Sequence, residues 1–248
     1  MILEMALPAR AHPAQTDELV VMAAGATEST LGQVVSKFEA ETNCAVRLSY
    51  GAVGLLRDRI LSGVAADLAI VTPAVIEQLG SKSLLQPGSR VDLGRVGGGI
   101  AVRLGEPAPA VSSLDELRRS LLMTEEIYFP DPAMATAGAY VVKVADSLGV
   151  GEAVRQKAHI ARGGKEAMRL LASSRARALG FTQISEILAV PEVRLIGPYP
   201  APLQAETTYS GVILASAAHP RAAHDFLGFL RTSPVQERFR EAGFEPVP

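Results

Sequence analysis

The chain has one cysteine, no tryptophan, few aromatics and almost no excess of either charge. A lone Cys44 excludes an internal disulfide and a cysteine-rich metal site. His12, His159, His219 and His224 show neither H-E-x-x-H nor any other metal-ligand spacing, so no metal and no cofactor is expected. With a net charge of -2, dispersed Lys and Arg, and 5% aromatics, the chain offers neither a basic stripe nor a stacking platform for nucleic acid. No apolar run reaches the ~20 residues of a membrane-spanning helix. Serine elbow, phosphate loop and dinucleotide fingerprint are all missing, so nothing in the chain demands chemistry.

What is there is a globular composition. Of 248 residues, 48% are hydrophobic and 20% charged, which suits one large domain or two lobes. Residues 1–16 stand apart: rich in Pro and Ala, without periodicity, and without a basic start before a long apolar core. They are expected to be a disordered tail or the remnant of a leader, because MALPARAHPA resembles the small-residue end of one.

The chain then alternates. Residues 19–24, LVVMAA, read as a buried strand. Leu31, Val34, Val35 and Phe38 form the apolar stripe of a helix that Thr27 or Ser29 can cap. Residues 45–50 read as a second strand, residues 51–54 as a loop, and Leu56 and Ile60 as the start of a helix ended by Gly63. Residues 67–71 are a third strand, and Pro73 opens a helix in the first turn, where it is tolerated. Gly97, Gly98 and Gly99, followed by IAVRL, mark a crossing into a second unit. Ser112 or Ser113 caps a short helix, and 159–162 and 178–182 read as brief strands. Residues 208–216 make a long apolar strand that crosses back. Two helices follow, with Pro220 in the first turn of one and Gly243 closing the other.

Residues 127–140, IYFPDPAMATAGAY, show how each unit works. A β-branched and aromatic run stops at Pro130, Asp131-Pro132 turns, and Ala137-Gly138 opens a helix. Such a junction turns free backbone N–H groups and a positive helix end toward whatever sits above the sheet. The plain reading of one junction is an ordinary connection, but the pattern recurs at 24–27, 51–54, 136–138 and 162–165, each rich in Gly, Ala or Thr. Alternating elements with short loops argue doubly wound sheets covered on both faces. The expected fold is α/β: two doubly wound mixed sheets, 17–98 with 208–248 and 99–207, joined by crossing strands with a ligand cleft between. Helix N-termini converging there would select an anion.

The stretches VMAAGATESTLGQVVSKFEAETNCAVRLSYGAVG, ADLAIV, DPAMATAGAY, LGFTQISE and FLRTSPVQERFREAGF resemble the periplasmic molybdate-binding proteins, which are type II solute-binding proteins of ABC importers. The resemblance runs from Leu19 to Phe244. It implies a two-lobed binding protein, an ABC-type permease as partner, a periplasmic location (a cytoplasmic one being the alternative) and a monomer. That family holds a tetrahedral oxyanion with two serine hydroxyls, backbone N–H groups and a tyrosine hydroxyl. The matching positions are Ala26, Ala52 or Val53, Ala137, Lys165 and Gln183, with Thr27 beside the first. Both serines and the tyrosine are replaced. A site deprived of those donors loses hydrogen bonds worth roughly 1.5–3 kcal/mol each when charge-assisted, so a larger organic anion is expected in place of molybdate or sulfate.

Arg57, Arg162 and Lys165 lie at or near the junctions and could pair with carboxylates; as plain surface charges they would need no ligand. Tyr209 and Ser210 could reach the ligand from the returning strand, although core packing suits Tyr209 as well. Some proteins resembling this family are aconitate isomerases, which makes an isomerase of a tricarboxylate the alternative. Its acid–base group would be Lys165 or Glu28, with Tyr209 and Asp131 as further candidates. A ligand sensor that has lost a DNA-binding part is a third class, and no helix-turn-helix segment supports it.

Overall fold

In the computed structural model, which describes residues 18–247, strands and helices alternate from the first described residue. The tail expected over 1–16 lies outside the described residues. The first half runs β1 (Glu18–Ala24), a 3₁₀ turn (Gly25–Thr27), α1 (Glu28–Thr42), β2 (Ala45–Gly51), α2 (Val53–Leu61), β3 (Leu68–Val71) and α3 (Pro73–Gly80). β3 is buried along its whole length, as an unbroken apolar run between two helical layers should be. α1 ends at Asn43 in the left-handed conformation, φ 54, one of the residues that tolerate it.

β4 (Val91–Arg103) then crosses the molecule as one 13-residue strand. The glycine triplet expected to mark the crossing lies inside this strand. At Gly98 an added Cβ would stand 2.4 Å from the Tyr199 ring, so close packing, not a turn, requires the glycine.

The second unit follows as α4 (Leu114–Met123), β5 (Glu126–Pro130), α5 (Thr136–Ser147), α6 (Gly151–Gln156), β6 (Ala158–Ala161), α7 (Gly164–Ser173), β7 (Ala178–Gln183), α8 (Ile184–Leu188) and β8 (Val193–Pro198). Ser113 caps α4 in a reciprocal box with Glu116. The short α6, α8 and β8 were not anticipated from periodicity, since each is too brief to show a period. β9 (Glu206–Ile213) returns, and α9 (Pro220–Leu230) and α10 (Ser233–Glu241) close the chain, with Gly243 at φ 87 after α10.

The strand order is β2-β1-β3-β9-β4-β7-β5-β6, with β8 also paired to β4. β1 pairs in parallel with β2 and β3, while β9 is antiparallel to β3 and β4. β5 is parallel to β6 and β7. The result is a mixed, two-lobed α/β fold, and β4 belongs to both sheets. One apolar core holds Leu19, Phe38, Leu68, Phe226 and Phe239; others hold Ile100, Phe129, Phe181 and Met168. Beside Gly97 and Gly98, the returning chain pairs Glu206 with Gly97, and Gly98 N–H donates to Ala205 carbonyl. Two adjacent backbone segments therefore connect the lobes.

Candidate ligand-binding site

A cavity of about 370 Å³ lies where the carboxyl ends of β1, β2, β5 and β7 face one another. Its walls follow from the sequence: β1, β2 and β5 stop at Ala24, Gly51 and Pro130 and β7 at Gln183, and a helix or 3₁₀ turn follows each within a few residues. α1, α2, α5 and α7 start around the cavity, and none has a side-chain N-cap of the kind that closes α4. Ala52, Ala135 and Gly163 stand at N-cap positions where Ser or Asp would otherwise accept a backbone N–H. N–H groups and dipoles at these helix starts favour negative charge in the cavity, although Gly54 N–H is taken by the Met134 carbonyl and Gly164 N–H by Glu186.

Of the expected site residues, Ala26, Ala52, Val53, Ala137, Arg162, Lys165, Gln183 and Tyr209 line this cavity. Thr27 does not: it is fully buried, and its Oγ1 donates 2.8 Å to the Ala24 carbonyl, which ties the 3₁₀ turn to β1. Arg57 is outside the lining and pairs with Asp58 at 2.7 Å. Asp131 is also outside, its Oδ1 accepting from Ala133 N–H in the turn after β5. Ser210 is buried and donates to Asp92 Oδ1 at 2.5 Å.

The two expected cations are present but already paired. Lys165 Nζ lies 2.9 Å from Glu28 Oε1. Arg162 pairs with Glu166 at 2.9 Å, which holds the Glu166 carboxyl below its usual range, and the Arg162 side chain is 92% exposed. A ligand carboxylate at this junction would have to compete with Glu28 and Glu166. A further tie crosses the cleft where Gly54 N–H donates 2.9 Å to the Met134 carbonyl.

Tyr50 and Glu186 are polar side chains of the cavity that went unnoticed in the sequence. Tyr50 is the last side chain of β2 before Gly51, and its hydroxyl is buried with no protein hydrogen-bond partner. Burial, and then the nearby Glu28 charge, push the phenol pKa up, so it stays a neutral O–H. Gln183 donates from Nε2 to Thr207 Oγ1 at 2.9 Å, and its buried Oε1 has no protein partner. Glu186, the third residue of α8 and in its first turn, is buried against the cavity floor. Its carboxyl accepts from Thr182 Oγ1 at 2.5 Å and from the backbone N–H groups of Gln183 and Gly164. Burial, the largest influence, raises its pKa despite these donors, and Glu28 adds to the rise. Tyr209, hydrogen-bonded with the Gln183 side chain, is likewise pushed up by burial and then by Glu186. A strand-end tyrosine before Gly51 was a readable signal. Glu186 had none, because a glutamate early in a short helix reads as an exposed partner of the helix dipole.

Two lobes, a cavity between them at the strand ends, and helix N-termini around it define the type II binding-protein class. The chain belongs to the bacterial extracellular solute-binding protein family, whose model matches residues 19–245. It is similar to an aconitate isomerase of Pseudomonas sp., 27% identical over 246 residues, covering 96% of this chain and 90% of that protein. Among solved structures it resembles the periplasmic molybdate-binding protein of Azotobacter vinelandii, with TM-score 0.78, 21% identity, and 93% and 100% of the two chains covered. The sulfate-binding protein of Mycobacterium tuberculosis H37Rv is similar as well, with TM-score 0.76, 19% identity, and 93% and 87% covered. Among the described residues no helix is long and apolar enough to cross a membrane.

Proposed function

We propose that this protein captures a small organic anion bearing carboxylates and delivers it to an ABC-type permease from the periplasm, acting as a monomer. Residues 17–98 and 208–248 would form one lobe and 99–207 the other, closing by motion at the two segments beside Gly97 and Gly98. The observation that carries the reading is the meeting of uncapped helix N-termini on a cavity whose serine positions are aliphatic. Backbone N–H groups from α1, α2, α5 and α7 suit carboxylate oxygens, and Ala26, Ala52 and Val53 leave room for a carbon skeleton.

A second reading, an isomerase of the aconitate isomerase type, is favoured by the Pseudomonas relative and by Glu186. Moving a double bond next to a carboxylate requires a group that holds and returns a proton near the substrate. Glu186, with its raised pKa, is better suited than Lys165 or Glu28, which neutralise each other.

A thermal-shift screen with molybdate, sulfate, succinate, tricarballylate and both aconitates separates the ligand classes, since a ligand of the native state raises apparent stability as RT ln(1 + [L]/Kd). Di- or tricarboxylates should stabilise the protein and molybdate should not; stabilisation by molybdate alone would sink the carboxylate reading. Proton NMR of cis- or trans-aconitate with the protein then decides between capture and isomerisation.

A further inference from the structure

Glu186 is an unusual group for the floor of an anion site. It sits on α8 in the second lobe, yet the first lobe also closes on it: an added Cβ at Gly25, at the end of β1, would stand 3.1 Å from its Oε1. At Gly164, the first residue of α7, an added Cβ would stand 2.0 Å from both Glu186 Oε2 and Thr182 Oγ1. Glycines from both lobes thus make room for one carboxyl among the helix starts that line the cavity.

The charges around Glu186 do not neutralise it. Glu28, at the start of α1, is a second negative group. Lys165, next to Gly164 on α7, is engaged by Glu28, and Glu166 by Arg162. β9 contributes Tyr209, a neutral hydroxyl. β4 and β8 meet α8 through Gly99 and Leu195 around Ile184 and Ile187, none of them titratable. The remaining cavity cations, Arg162 and Arg169, are on the α7 side. An ionised Glu186 would therefore face a bound anion with no counter-charge between them, in a site of low dielectric where like charges repel strongly.

We propose that Glu186 meets the bound ligand as a neutral carboxylic acid, donating its proton in a hydrogen bond to the anion, so that ligand binding takes up a proton from solvent. The inference rests on the reading of the cavity as a site for a carboxylate-bearing anion. Burial, which already pushes the Glu186 pKa up without ligand, works in the same direction. An anion beside the carboxyl raises it further, and linkage then makes affinity fall as pH rises.

The test is calorimetry of tricarballylate binding between roughly pH 7.5 and 8.5, well above the range where the free ligand's carboxyls titrate, in buffers of differing ionisation enthalpy. Wild type should take up a proton on binding, and affinity should fall by up to about tenfold per pH unit. Glu186→Gln should bind without proton uptake and without that pH dependence. Carbon-13 NMR of the glutamate carboxyls in wild type, which needs no variant, should show one buried carboxyl moving toward its protonated shift as tricarballylate is added. Binding without proton uptake, or uptake that persists in Glu186→Gln, would overturn the role of Glu186 and leave the carboxylate reading standing. If neither tricarballylate nor succinate binds, the carboxylate reading fails and this inference with it.

Discussion

Lys165 Nζ on α7 and Glu28 Oε1 on α1 stand 2.9 Å apart, so one ion pair ties the two lobes together across the mouth of the cleft. Both side chains are partly exposed, 23% and 34%, which limits the pair to about 0.5–1 kcal/mol of net coupling, less at high salt. It is therefore suited to biasing closure and too weak to enforce it. Glu28→Gln or Lys165→Met should shift the unliganded protein toward an open form, seen as a larger radius of gyration in solution scattering. Lys165→Met should also lower ligand affinity, whereas Glu28→Gln frees Lys165 for the ligand and should not. Unchanged scattering in both would mean that the pair has no part in closure. Arg162→Ala should weaken binding less than a buried contact would, because its guanidinium is almost fully exposed and already paired.

Glu186 also predicts how stability responds to pH. Folding raises its pKa, so the folded chain binds more protons than the unfolded chain above the ordinary carboxylate range. Its contribution is full below the unfolded pKa and declines as pH rises through the raised folded value. Glu186→Gln should therefore gain melting temperature relative to wild type as pH increases toward 8, with no such gain near pH 4. Parallel melting curves for the two proteins across that range would show that the carboxyl is not held protonated.

Much of the fold could be read from the chain because the relevant signals were local. LVVMAA and DLAIV are continuous apolar runs, and Pro73, Ser113 and Gly243 mark helix ends by their own chemistry. The three successive glycines of β4 marked a crossing in the sequence, but why glycine is needed there shows only when Tyr199 and Ile187 are seen filling the space beside them. The cavity lining was also largely legible, because Ala26, Ala52, Ala137 and Lys165 lie at strand-to-helix junctions. What was not legible depends on residues far apart in sequence. Lys165 looks free until Glu28, 137 residues away, is placed beside it. Glu186 looks exposed until Gly25 and Gly164 close over it. Thr27 is the local exception: it looks like a donor to the ligand until its hydroxyl is found turned back to Ala24, three residues earlier.

Gly98 tests the crossing itself. With a Tyr199 ring carbon 2.4 Å from where a Cβ would sit, Gly98→Val must move the ring or bend β4. Tyr199 is buried in the core of the second lobe, so the change should destabilise the protein by about 1–3 kcal/mol in urea unfolding, a typical cost of overpacking. Gly98→Val with wild-type stability would show that this segment yields easily, and that the glycine is not needed for close packing.

The last prediction reverses the ligand choice. The resemblance to the molybdate binders puts their serines at Ala26 and at Ala52 or Val53, and Ala26 and Val53 both line the cavity beside the helix starts of the first lobe. Neither position is sterically special: Ala26 lies in the 3₁₀ turn, and Val53 is the first residue of α2. A hydroxyl at each place would add a donor aimed at a small oxyanion, at about 1.5–3 kcal/mol for a charge-assisted bond. The double variant Ala26→Ser, Val53→Ser should gain molybdate or sulfate binding that wild type lacks. It should also lose affinity for tricarballylate, because polar hydroxyls replace apolar wall against the carbon skeleton. The outcome is read by titration calorimetry with the same three anions on both proteins. If the double variant still ignores molybdate, Gln183 in place of the family's tyrosine is the remaining obstacle, and adding Gln183→Tyr should complete the switch. A triple variant that binds no oxyanion would mean that the cavity differs from the molybdate binders in more than its donors.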